Sequence, residues 1–137
     1  MTKRAETNRY FVGIDAGSVS LNALVIDEHK AIVYEPPYKR HFGKVEEETL
    51  SLIRHLYETF GQNNIRSIAF TGSHGKHLSD NLGLFYEFET ISQVVGVLFR
   101  HPDTKTIISM GGRFSMRRVI QNWKSTTMAA FKLNNQP

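Results

Sequence analysis

Three short stretches carry the residues best suited to chemistry. In Asp15-Ala-Gly-Ser-Val-Ser20, the apolar run before it delivers a carboxylate to a strand end, and Gly17 lets the backbone approach a ligand closely. The hydroxyls of Ser18 and Ser20 and the turn amides suit phosphate oxygens, while Asp15 suits a hydrated Mg²⁺, which takes oxygen ligands. Many hairpins use the same residues for turn chemistry alone. Thr71-Gly-Ser-His-Gly-Lys76 offers two glycines, two hydroxyls and a lysine at a second strand end, without the spacing of a Walker loop. Read plainly, it is a strand-to-helix connection with Ser73 as the cap. In Ile108-Ser-Met-Gly-Gly-Arg-Phe-Ser115, the adjacent Gly111 and Gly112 permit a tight turn, which taken alone is simply a hairpin.

Two further constellations carry less. His74 and His77 share a helix face, but no second ligand pair accompanies them, so they read as surface histidines. Asp15, Asp27 and Glu89 resemble a nuclease-type acidic set, yet Asp27 falls at the far end of the returning strand from Asp15.

The elements that must position these residues follow from periodicity. Strands are predicted over 10–15, 19–27 and 31–35, with Pro36 and Pro37 closing a meander. Val45, Leu52, Ile53, Leu56, Tyr57 and Phe60 recur at helical spacing, and Gly61 stops the helix. Glu46, Glu47 and Glu48 fall in its first turn, where the helix dipole favours anions and solvent is expected. A strand over 65–71, a short helix over 74–82, a brief strand over 85–88 and a helix over 89–99 come next. After Pro102 the strand, glycine turn, strand, strand order returns over 106–110, 115–122 and 127–133, an internal echo of the opening meander.

Composition bounds the class. The chain has 137 residues, 40% hydrophobic and 22% charged, which excludes collagen-like and low-complexity proteins. No apolar run reaches the roughly 18–20 residues that span a bilayer, and the polar start, residues 1–9, reads as a disordered tail rather than a signal peptide. Zero cysteines exclude disulfides, thiolate metal sites and an iron–sulfur cluster in this chain, and point to the cytoplasm. Residues 1–99 carry ten basic and twelve acidic residues, whereas 100–137 carry seven and one. That basic segment is a candidate nucleic-acid face, but its scarcity of aromatics argues against a stacking platform.

Taken in order, the motifs resemble the actin-like ATPase superfamily, in which two ribonuclease H-like halves hold a nucleotide between them. Within it the chain is most similar to the BadF/BadG/BcrA/BcrD-type ATPases, activators of 2-hydroxyacyl-CoA dehydratases and benzoyl-CoA reductases. The matching stretches are Gly13–Ser20 with Ala23–Asp27, Phe70–Lys76, Glu89-Thr-Ile, and Thr106–Gly112 with Phe131-Lys-Leu-Asn134. The resemblance implies an α/β fold with a mixed sheet over 10–101, and over 102–137 the first strands of a second half. The chain would then be a fragment of a longer protein, and its incomplete meander would rest on something or self-associate as a homo-oligomer. It implies ATP and Mg²⁺ as cofactors, Asp15 as the metal residue, and a nucleotide site built from Asp15, Gly17, Ser18, Ser20, Gly72, Ser73, Gly111 and Gly112. It also implies a partner enzyme whose activation consumes ATP.

Departures set the alternative. The family usually has a lysine where Asn22 stands, and its second hairpin reads acid-x-Gly-Gly-Gln-Asp-Ser-Lys where this chain has Ser109 to Met116. Ser109 and Phe114 thus replace two carboxylates, which leaves hydrolysis open and makes a non-catalytic module for assembly or regulation the competing expectation.

Overall fold

A computed structural model of the chain describes residues 8–110 and 115–119, with side chains through Ile108. The tail over 1–7, the glycines Gly111 and Gly112, the strand expected over 127–133 and the stretch Phe131–Asn134 lie outside the described residues. The described residues form two compact units, within Met1–Ser92 and Gln93–Pro137.

The first unit is built on β1 (Tyr10–Ala16), β2 (Ser20–Asp27), β3 (Ile32–Tyr34), β4 (Lys39–Arg40), α1 (Val45–Phe60), β5 (Ile65–Thr71), α2 (Gly75–Leu82) and β6 (Phe85–Tyr86), and ends within the first turn of α3 (Glu89–Arg100). Its sheet has six strands in the order β3-β2-β1-β5-β6, with β4 also on β2. β1 and β2 are antiparallel and pair Tyr10 with Asp27 through Ala16 with Leu21. β1 and β5 are parallel, as are β5 and β6. The long crossover through α1 makes that parallel pairing possible, because parallel neighbours cannot be joined by a tight turn. Asp27 therefore lies at the opposite end of the sheet from Asp15, as the sequence indicates.

Alternation assigns the faces. Val12, Ile14 and Ala16 of β1, Leu21 and Val25 of β2, and Ile68 and Phe70 of β5 are buried on one side. Ile53 and Leu56 of α1 and Leu78 of α2 join them in a single core. Asp15, Asn22 and Thr71, offset by one residue, take the other face. α1 ends where expected: Gly61, at φ +82°, donates its N–H to the Tyr57 carbonyl at 2.9 Å.

Two local features differ from the sequence reading. β4 is unanticipated, a two-residue basic segment that regains the edge of β2 beyond the Pro36-Pro37 exit, pairing Arg40 with Ser20 and Lys39 with Leu21. The cap of α2 is His74 rather than Ser73, and no side chain caps that end.

The second unit holds the rest of α3 and an antiparallel hairpin of β7 (Thr106–Met110) and β8 (Ser115–Val119), registered from Thr106 with Val119 to Met110 with Ser115.

Leu56 is fully enclosed where α1 meets the sheet. Leu56→Ala is expected to cost about 2–5 kcal/mol of unfolding free energy. Urea denaturation should show the lower midpoint with an unchanged slope.

Candidate functional site

The ends of β1 and β5 bring the first two motifs together. In the parallel register Asp15 is opposite Thr71, and across the hairpin it is opposite Asn22. Beyond Thr71 the chain turns at Gly72, whose φ of +90° lies in the left-handed region. A Cβ there would run into Asp15 Oδ1 and stand 2.6 Å from the Ala16 carbonyl oxygen, so only glycine lets the two strand ends approach this closely. The same Ala16 carbonyl accepts the His74 N–H at 2.9 Å, tying the 72–74 loop over the end of β1.

The hairpin turn is closed by Gly17 N–H donating to the Ser20 carbonyl at 3.0 Å. Among the described residues, the N–H groups of Ser18, Val19 and Ser73 find no acceptor. Unpaired amides gathered at one rim form a nest for an anion. Asn22 Nδ2 approaches the Ser20 hydroxyl at 3.4 Å, and Ser18 and Ser73 are exposed.

Asp15 is the acidic centre. Burial, and secondarily the negative charge of Glu89, push its carboxyl above the ordinary carboxylate range. No hydrogen bond reaches its carboxylate among the described residues. Beside it the Thr71 hydroxyl is buried and has no partner among the described residues. A partly buried ionised carboxylate and an orphaned hydroxyl oxygen are both relieved by a cation with oxygen ligands, so the residues fit one. No group of three or more His, Asp or Glu side chains among the described residues would hold a metal unaided. Mg²⁺ is commonly held by one or two carboxylates, with phosphates and waters completing its shell.

Other sequence candidates lie apart. Lys76 pairs with Asp80 at 2.8 Å along the exposed side of α2 rather than facing the turn. His77 meets Glu46 at 3.1 Å and Asn81 at 3.1 Å, which leaves no histidine pair for a metal. A cavity of about 350 Å³, lined in part by Tyr34, Pro36, Tyr38, Leu52 and His55, contains none of the residues expected to bind the nucleotide or the metal.

The residue that sequence reasoning missed is His41. It is buried, its Nδ1 accepts the Gly43 N–H at 3.1 Å, and its Nε2 lies 3.0 Å from the Gly17 carbonyl oxygen. With Nδ1 accepting, Nε2 carries the hydrogen and donates to Gly17. Its backbone N–H also donates to the Val19 carbonyl at 3.2 Å, and its ring meets His74 edge-on, with centroids 5.7 Å apart. No local spacing marks one histidine of six for this place.

No protein-family model matches the chain, and no curated protein does. Solved structures do. Component A of the Acidaminococcus fermentans (R)-2-hydroxyglutaryl-CoA dehydratase aligns at TM-score 0.71 and 20% identity, over 83% of this chain and 44% of that one. The activator of the Clostridium difficile 2-hydroxyisocaproyl-CoA dehydratase, solved with bound ADPNP, aligns at TM-score 0.65 and 22% identity, over 82% and 41%. The chain thus spans less than half the length of either protein. The chain shares the fold of these two proteins, as the order of its motifs leads one to expect.

Because its pKa is raised on folding, the folded chain holds the Asp15 proton more tightly than the unfolded chain, and stability falls as pH rises from the ordinary carboxylate range through the raised pKa. Asp15→Asn should remove this slope and raise the melting temperature at neutral pH. Thermal melts of both proteins between acid and neutral pH read it directly.

Proposed function

We propose that this chain carries the phosphate-binding half of an ATP-dependent activator acting on a partner enzyme in the cytoplasm. One observation carries the reading: the desolvated Asp15 stands at the meeting of two strand ends, between a glycine turn and a glycine loop in which the amides of Ser18, Val19 and Ser73 find no acceptor among the described residues. Asp15 would hold Mg²⁺, with the Thr71 hydroxyl facing the ion's shell. The amides of Ser18, Val19 and Ser73 and the Ser20 hydroxyl would receive phosphate oxygens, with Gly72 keeping the approach open. Gly111 and Gly112 are proposed as the second phosphate hairpin, at the start of a second half over 102–137 that a longer protein would complete. Bound Mg²⁺ supplies charge neutralisation of the phosphates. This chain's residues do the rest: they orient the phosphates, and they keep the acidic group partly out of water so that the cation is held firmly.

Titration calorimetry with Mg-ATP tests the reading. Binding is expected for the natural chain and its loss for Asp15→Asn. Failure to bind at millimolar nucleotide would sink the claim.

A specific observation favours a second reading, the non-catalytic module for assembly or regulation. Asn22, opposite Asp15, is neutral, and Ser109 and Phe114 stand where the family has acids. If the acids are all that was lost, Ser109→Asp with Phe114→Asp should tighten Mg-ATP binding and raise phosphate release. An unchanged affinity and rate in calorimetry and a phosphate assay would favour the module.

A further inference from the structure

The strands that border the turn bring no positive charge to it: on the Asp15 face they present Asp15, Ser20, Asn22 and Thr71. A polyphosphate would be held there by amides and a cation alone. The basic residue that the sheet does bring to this face comes from β4. Arg40 pairs with Ser20 in antiparallel register, and paired residues share a face. Alternation puts its neighbours on the other side, and both are fastened there. Lys39 is ion-paired with Glu48 of α1. His41 is buried against the Gly17 carbonyl and holds β4 to the turn itself.

Arg40 is left facing outward. Among the described residues no carboxylate pairs with it, and its guanidinium lies over the Phe42 ring, 5.4 Å from the centroid. Phe42 is unusual in two respects. It is 82% exposed, and its φ of +48° lies where a bulky residue is an outlier. An exposed aromatic ring held in a disfavoured conformation under a free guanidinium preorganises that group at the rim of the turn. Guanidinium is also the side chain whose donor fork matches phosphate oxygens two at a time.

We propose that Arg40 is the side-chain cation of this phosphate site, contacting the polyphosphate of the ligand from β4. The inference rests on the nucleotide reading above, and the test separates the two. Mg-ATP and inorganic tripolyphosphate with Mg²⁺ are titrated by calorimetry into the full chain, Arg40→Gln and Arg40→Lys, with melting temperatures recorded alongside. Arg40→Gln should weaken binding about tenfold, the scale of a lost charge-assisted hydrogen bond to a phosphate. Arg40→Lys should recover part of that loss, and neither variant should shift the melting temperature beyond a degree or so, as for exposed positions. Equal affinity for Mg-ATP in the natural chain and Arg40→Gln overturns the inference and leaves the nucleotide reading standing. If the natural chain binds tripolyphosphate but not ATP, and Arg40→Gln loses it, the nucleotide reading falls and the Arg40 contact stands. Binding of neither ligand by the natural chain overturns both.

Discussion

The contact of Gly72 with the end of β1 is the constraint on which the site depends. Parallel pairing brings Thr71 alongside Asp15, and the chain must then leave β5 directly across the carboxylate and the Ala16 carbonyl. The space there is smaller than a methyl group requires, and the backbone needs a left-handed φ. Glycine meets both conditions at once. Once the crossing is made, the His74 N–H falls on the Ala16 carbonyl, and α2 starts from a fixed point over the sheet. The hairpin of the first motif and the loop of the second then share one rim.

The crossing also leaves the carboxylate poorly served. Asp15 is desolvated, feels the negative charge of Glu89, and has beside it a hydroxyl without a partner among the described residues. Such groups weaken a fold, and they persist only where the surrounding structure over-determines them. Here it does: the core of Ile14, Ala16, Leu21, Phe70 and Leu78 lies directly behind the two strand ends. Packing on one face of the sheet thus maintains unsatisfied polar groups on the other, which is the arrangement expected of a place that receives a charged ligand.

Much of this was legible in the sequence. α1, β5 and the hairpin β1–β2 follow from period and punctuation, because each is long enough for its apolar residues to declare a face and is bounded by glycine or proline. Asp15 and Gly72 were legible as members of strand-end motifs, though the sequence could not show that one crowds the other, since that contact depends on the parallel register. β4 and His41 were not legible. A two-residue basic strand has no alternation to read, and a histidine that fastens a carbonyl 24 positions away leaves no local trace. The Glu46–Glu48 run is a largely solvated helix start, as its place in the first turn suggests, with Glu46 and Glu47 exposed; from there Glu48 also holds Lys39 and Glu46 meets His77, so the start of α1 touches both β4 and α2.

Magnitudes decide which contact holds β4 against the turn. The Lys39–Glu48 pair is partly exposed, and such pairs contribute roughly 0.2–1 kcal/mol. His41 is buried, and both its ring nitrogens are engaged. Removing it would strand the Gly17 carbonyl and the Gly43 N–H, each at about 1–3 kcal/mol where no water replaces the partner. The buried ring therefore outweighs the surface pair. Position along β4 follows from the same comparison, because Arg40 can face the site only if the residues on either side of it are held to the opposite face. The Lys39 contact supplies orientation with little energy, and the His41 contact supplies the energy. A chain that kept the lysine and lost the histidine would still have the charge but not the register that aims it.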